Sequence, residues 1–144
     1  MKLAARVEGV GLVGPGLESW SAARLTADAI DYVNLHGTAT PSNDAAEDLA
    51  VHGLLGGKVP VNSTKGLTGH TLGAAGAVEA ILCVLAIEEG RIPATAGTQG
   101  LDPLLRARYE IAGREAAITT AMTNSFGFGG SNCSLVLGRL RRAA

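Results

Sequence analysis

Residues 74–89 read AAGAVEAILCVLAIEE, a helical run stopped by Gly90. Its apolar members, Ala74, Ala77, Val78, Ile81, Leu82, Leu85 and Ala86, fall on nearly every side of a helix. A helix that is apolar all round has to be covered on both faces. Lipid does not fit as the cover: the apolar stretch 72–87 is broken by Glu79 and is short of the roughly 20 residues of a membrane span. The cover is therefore protein. Gly73, Ala74, Gly76 and Ala77 lack bulk, so another backbone can approach the first turns closely.

The flanking sequence supplies strands. ARVEGVGLVGPG reads as a strand closed by a Gly14-Pro15-Gly16 turn, and LESWSAARL as a short helix. Residues 29–37, AIDYVNLHG, form a compact apolar strand with a glycine exit. After Pro41, Asp44 and Glu47 open a helix in capping-box fashion. Its expected apolar side is Ala46, Leu49, Ala50, Gly53 and Leu54, and Gly56-Gly57 ends it. KVPVNST is a further strand, and 91–115 reads as loop. AAITTAMTNSF and NCSLVLGRL close the chain as a hairpin-like pair around GFGGS. Strands alternating with helices predict an α/β sheet covered on both faces.

Composition agrees with a globular chain and narrows its partners. At 144 residues the length suits one domain, with 47% hydrophobic and 17% charged residues. The net charge is −1, and basic residues cluster only at Arg139, Arg141 and Arg142. That is no footprint for nucleic acid. The two cysteines, Cys83 and Cys133, lie far apart in apolar settings, as in a reducing cytoplasm rather than a disulfide framework. The N-terminus lacks the apolar core and cleavage site of a signal peptide, so a soluble cytoplasmic protein without membrane insertion is expected.

Polar residues gather at the mouth of the apolar helix, in STKGLTGH. A helix start carries unpaired N–H groups and partial positive charge, which favours a neutral imidazole at His70. A neutral imidazole can donate one hydrogen bond to an oxygen gaining negative charge. Lys65 could tune such a site or pair with Glu79. Taken singly these residues are ordinary, because a histidine beside a buried helix is commonly structural. A second histidine, His36, also stands where a strand ends and a Gly-Thr turn begins, the place where functional residues collect in such sheets. Their spacing gives no local metal motif, so no metal, zinc included, is expected.

VNLHGTATPSNDAAE, VNSTKGLTGHTLGAAGAVEAI and TNSFGFGGSNCSLVLG resemble, in order, three motifs of the β-ketoacyl-[acyl-carrier-protein] synthases, condensing enzymes of thiolase-like fold. The likeness runs over about 29–139 and concerns the C-terminal half of the duplicated α/β/α layered fold, with a mixed sheet. It implies a decarboxylative Claisen condensation of malonyl-carrier protein with an acyl thioester, in fatty acid, polyketide or polyene synthesis. His36 and His70 would hydrogen-bond the enolate oxygen, Lys65 would set the electrostatics, and Glu79 would support Lys65. Thr38 and Thr40 would bind the pantetheine arm. Phe128 would gate the acyl pocket, with Phe126, Gly127 and Gly129 beside it in the substrate-binding loop. No cofactor is implied, since substrates ride on the phosphopantetheine of acyl carrier protein.

The same resemblance exposes a gap. The family's nucleophilic cysteine lies in its N-terminal half, and neither Cys83, placed mid-helix, nor Cys133, after the glycine loop, fills that position. Residues 1–24 resemble the first strand and short helix of a full-length synthase, and 25–144 its C-terminal domain, as if a central piece were missing near Arg24. Three readings follow: a condensing enzyme whose cysteine comes from another chain, a non-catalytic subunit like a chain-length factor that binds acyl chains or carrier protein, or an inactive remnant. An uncovered helix 74–89 predicts a homodimer or a complementing synthase subunit.

Overall fold

The computed structural model describes the backbone of residues 8–11 and residues 25–139. Along the chain run β1 (Glu8–Gly11), β2 (Tyr32–Asn34), α1 (Pro41–Leu55), β3 (Pro60–Asn62), α2 (Lys65–Thr68) and α3 (Ala75–Glu89). They are followed by β4 (Arg91–Ile92), β5 (Arg108–Tyr109), β6 (Arg114–Glu115), β7 (Thr120–Phe126) and β8 (Asn132–Gly138). Short 3-10 turns occupy Ala27–Ala29, Leu72–Ala74 and Phe128–Gly130.

Six strands form one sheet in the order β1-β8-β7-β2-β3-β5. β7, β2, β3 and β5 run parallel, while β8 pairs antiparallel with β7 and β1 with β8. The sheet is mixed, as expected. Successive side chains of a strand point to opposite faces, and both faces here are apolar. Val33, Val61, Met122 and Val136 pack with Val51 and Leu55 of α1. Tyr32, Ala121 and Leu137 pack with Cys83, Ala86 and Ile87 of α3. The result is a helix–sheet–helix sandwich. β4 and β6 form a separate two-stranded ribbon.

Both long helices stop at glycines in the left-handed conformation, Gly56 and Gly90, as their sequences predict. α1 departs from expectation in two ways. It begins at Pro41 behind Thr40, and Asp44 N–H bonds the Thr40 carbonyl, so Asp44 and Glu47 form no capping box. Its buried side is Glu47, Asp48, Val51 and Leu55; Ala46, Leu49, Ala50 and Gly53 are exposed, and Leu54 is half-buried. The physical reason is that both carboxylates find backbone partners. Asp48 accepts from the N–H groups of Arg106 and Ala107 and from the Tyr109 hydroxyl, and so anchors the edge strand β5. The segment 91–115, read as loop, holds three two-residue strands. The strand predicted over 29–37 shortens to β2.

α3 is covered on one face only. Ala75, Glu79, Cys83, Ala86 and Ile87 are buried against the sheet, whereas Ile81 is 60% and Leu85 42% exposed. Among the described residues no helix is long and apolar enough to cross a membrane. The turn expected at 14–16, the helix expected over 17–25 apart from its last residue, the seam near residue 24, and Arg141 and Arg142 lie outside the described residues.

Candidate active site

The site forms where β2, β3 and β7 end together against the start of α3. β2 leads into Leu35, His36 and Gly37, and Gly37 adopts φ +41°, a left-handed value that favours glycine. A side chain there would also meet the Ser63 Cβ at 2.4 Å. Ser63 Oγ instead donates to the Gly37 carbonyl at 2.9 Å. Glu47 grips this turn from α1. One carboxylate oxygen accepts from His36 N–H at 2.8 Å and from Asn124 Nδ2 at 3.1 Å; the other accepts from Gly37 N–H at 2.9 Å. Asn124 is itself held by Ser134 Oγ at 2.7 Å. Burial pushes the Glu47 carboxyl above its ordinary value, against the pull of those N–H donors.

β3 delivers Lys65 to the first position of α2, buried beside His36. Its ammonium lies 3.3 Å from His36 Nδ1 and forms an ion pair with Glu79 of α3. Ser125 Oγ donates to the other Glu79 oxygen at 3.5 Å. Gly76 explains one small residue of the α3 start, because a Cβ there would stand 3.0 Å from Ser125 Oγ. Burial first, then the Lys65 ammonium and His70, lower the His36 pKa from 6.5 to about 4, opposed by Asp44. His36 is therefore a neutral imidazole at ordinary pH. Burial also holds Glu79 above the usual carboxylate range, with Lys65 pulling the other way.

His70 meets His36 edge to face, with ring centroids 5.4 Å apart at 86°. It does not sit directly on the helix tip; the turn Leu72–Ala74 intervenes before α3. That turn has its own use. Leu72 N–H donates to His70 Nδ1 at 3.3 Å, with Leu72 held at φ +51°. In each histidine Nδ1 therefore accepts, from Lys65 in one and Leu72 in the other. The ring proton is left on Nε2 in both. Two neighbouring rings thus each keep an N–H donor, a group able to stabilise an oxygen that gains negative charge.

Around this core, Phe126 stacks obliquely on His36 at 5.3 Å. Thr38 and Thr40 share a hydroxyl–hydroxyl contact of 2.9 Å on the open side. Phe128 is 97% exposed at the tip of its glycine loop. Gly129 and Gly130 have φ +73° and +83°, left-handed values that favour glycine. Gly127 has φ −109°, and its glycine is needed for space instead, since a Cβ would sit 2.9 Å from the Ser131 carbonyl. Cys83 is fully buried, and burial pushes its thiol up to about 12; burial also raises Cys133. Neither has the environment of a nucleophile. All four residues expected at the centre thus come together. Sequence reasoning missed Glu47, Ser125 and the Leu72 N–H; the signal for Glu47 was an acid placed on α1 where its helix meets the His-Gly turn.

The mixed sheet between two helices superposes on solved ketosynthases of thiolase-like fold. The family model described as beta-ketoacyl synthase, C-terminal domain, matches residues 16–99, and the chain belongs to that family. The mitochondrial 3-oxoacyl-[acyl-carrier-protein] synthase of Arabidopsis thaliana is 45% identical over 119 residues, covering 78% of this chain and 26% of the relative. Among solved structures, a ketosynthase in complex with its chain length factor from Xenorhabdus doucetiae superposes with TM-score 0.83 at 39% identity, covering 96% of this chain and 35% of that one. A type II polyketide acyl-carrier protein in complex with its ketosynthase bound to the hexaketide gives TM-score 0.77 at 31% identity, covering 85% and 31%. The chain spans about a third or less of the length of these proteins.

Proposed function

We propose that the chain supplies the enolate-stabilising half of a β-ketoacyl-[acyl-carrier-protein] synthase. The malonyl thioester loses its carboxylate as carbon dioxide, and the electron pair of the broken C–C bond moves into the thioester as an enolate. The enolate oxygen accepts from Nε2–H of His36 and of His70. The enolate carbon then attacks an acyl thioester, forming the new C–C bond and expelling the thiolate that carried the acyl group. Burial, aided by the Lys65 charge, keeps His36 neutral, Lys65 holds its proton on Nε2, and Glu79 balances the buried ammonium. Thr38 and Thr40 hold the pantetheine arm, while Phe126, Phe128 and the Gly127–Gly130 loop border the acyl pocket.

The acyl-carrying cysteine comes from outside these residues, since the Cys83 thiol is raised to about 12 and Cys133 is raised as well. The partners are accordingly acyl carrier protein and a second subunit, either a like copy or a complementing synthase chain, seated on the open side of α3. The observation that carries this reading is the edge-to-face pair of imidazoles with both Nδ1 atoms engaged, which leaves the proton of each ring to Nε2. A second reading, an acyl- or carrier-binding subunit without chemistry of its own, draws on the lack of a nucleophilic thiol and on the likeness to a ketosynthase that works with a chain length factor.

Carbon dioxide release from malonyl-carrier protein separates the two. The first reading expects decarboxylation, with or without a cysteine-bearing subunit, falling at least about a hundredfold in His70→Ala, in the range for losing one oxyanion donor. Carrier binding with no carbon dioxide release under any pairing would leave the second.

A further inference from the structure

Under the His36–Lys65 contact lies a buried polar network that the chemistry does not itself use. On the α3 face of the sheet, the Tyr32 hydroxyl of β2 donates to Asn62 Oδ1 of β3. Asn62 Nδ2 donates to the Pro93 carbonyl at 2.7 Å. Asn34 Nδ2 reaches both the Tyr32 hydroxyl, at 3.3 Å, and Thr64 Oγ1, at 3.1 Å. Tyr32, Asn34 and Asn62 are 0% exposed and Thr64 is 1% exposed. Its donors are all engaged, and Asn34 Oδ1 is the one acceptor of these side chains left buried without a partner; side chains tied into such a network are held in place by one another. Its placement gives it a use: His36 lies two residues beyond Asn34, the last residue of β2, and Thr64, just past β3, caps α2 immediately before Lys65. Backbone bonds between β2 and β3 fix the strands as far as Leu35 N–H to the Asn62 carbonyl. Beyond that point the two exits diverge into different turns, and side chains alone tie them together.

We infer that Tyr32, Asn62 and Thr64 are positioning residues that set the Lys65 ammonium against His36 Nδ1. The inference rests on the reading that His36 must present Nε2–H to the enolate oxygen. None of the three touches a reacting atom. They act through Lys65: Thr64 is locked by Asn34, Asn34 by Tyr32, and Tyr32 by Asn62, which is bolted to Pro93. A shift of the Lys65 ammonium away from Nδ1 would free His36 to change tautomer or take up a proton.

The test is a histidine side-chain NMR titration of the whole chain at rest, so it does not depend on turnover. His36 faces Lys65 from α2, His70 from the turn before α3, Asp44 from α1 and Phe126 from β7, with Glu47 on its backbone N–H and Glu79 beyond Lys65. Thr64→Val swaps one hydroxyl for a methyl at constant size. It should raise the His36 midpoint from about 4 by about one unit, because the Lys65 charge that opposes protonation moves off. Thr64→Ser should return it to about 4, and Tyr32→Phe should raise it as Thr64→Val does. A role in packing alone would lower thermal stability in these variants and leave the midpoint where it was. That outcome in folded Thr64→Val overturns the inference, even if Tyr32→Phe fails to fold. Unchanged carbon dioxide release in a variant that shows the titration shift would instead count against the enolate reading and leave the positioning role standing.

Discussion

α1 and α3 flank the same sheet, and each carries a buried carboxylate to the same site, yet the two acids are neutralised differently. Glu79 of α3 is paired with a cation, Lys65. Glu47 of α1 is met by neutral donors: two backbone N–H groups and the amides of Asn124 and Asn43. A lone buried charge is expensive, but hydrogen bonds to fixed dipoles offset much of the cost without adding a second ion. The difference suits what each helix does. Glu47 fixes a backbone turn, for which amide donors are the natural handle. Glu79 keeps an ammonium in place, and the ammonium needs a counter-charge. Burial of an acid is therefore no single signal; its meaning depends on whether the partner is a dipole or an ion.

The same substitution at both positions breaks or sharpens that contrast. Glu79→Gln leaves the Lys65 ammonium buried without its counter-ion and should cost about 3–5 kcal/mol, the range for breaking a buried pair from one side. Lys65→Met together with Glu79→Leu should recover most of the loss, since an apolar replacement of the whole pair is commonly near neutral. Glu47→Gln should cost less, about 1–3 kcal/mol, because one amide oxygen still accepts and only neutral donors, one backbone N–H and one side-chain amide, are left facing the NH₂ group. Urea unfolding of each variant at matched slope reads these values. Equal losses at the two sites, or no recovery with Lys65→Met and Glu79→Leu together, would mean that ion and dipole neutralisation are not distinct here.

Much of this architecture is written in local pattern. α3 and its stop at Gly90, the β7–β8 pair, and the meeting of His36, His70, Lys65 and Glu79 follow from periodicity and from motifs whose residue types suit one chemistry. α1 shows where pattern fails. Ala46, Ala50 and Gly53 have so little side chain that their burial carries almost no transfer energy, so a face built from them attracts nothing strongly. Glu47 and Asp48 look like surface residues by type. Their partners, the N–H groups of His36, Gly37, Arg106 and Ala107, come from distant segments, which helical spacing does not reveal. β5 was illegible for a related reason. Two residues have no periodicity, and Arg108 and Tyr109 form a strand only because Pro60 and Val61 offer a free edge and Asp48 holds the approach.

The smallest expected effect tests the corrected face of α1 directly. Leu49, on the side that spacing assigned to the core, is 65% exposed, while Val51, outside that stripe, is 4% exposed. Leu is the larger residue, so composition alone would make Leu49→Ala the more damaging change. The structure reverses the order. Leu49→Ala removes atoms already wet and should alter stability by no more than about 0.5 kcal/mol, as for surface positions generally. Val51→Ala opens a gap between α1 and Val33, Val61 and Met122, where deleting buried methyl groups costs the transfer energy plus a cavity term. Thermal unfolding should therefore separate the pair clearly. A Leu49→Ala loss as large as that of Val51→Ala would mean that the Leu49 side of α1 is covered in solution, and that the contrast between a one-sided α1 and an α3 with an unfilled apolar face is wrong.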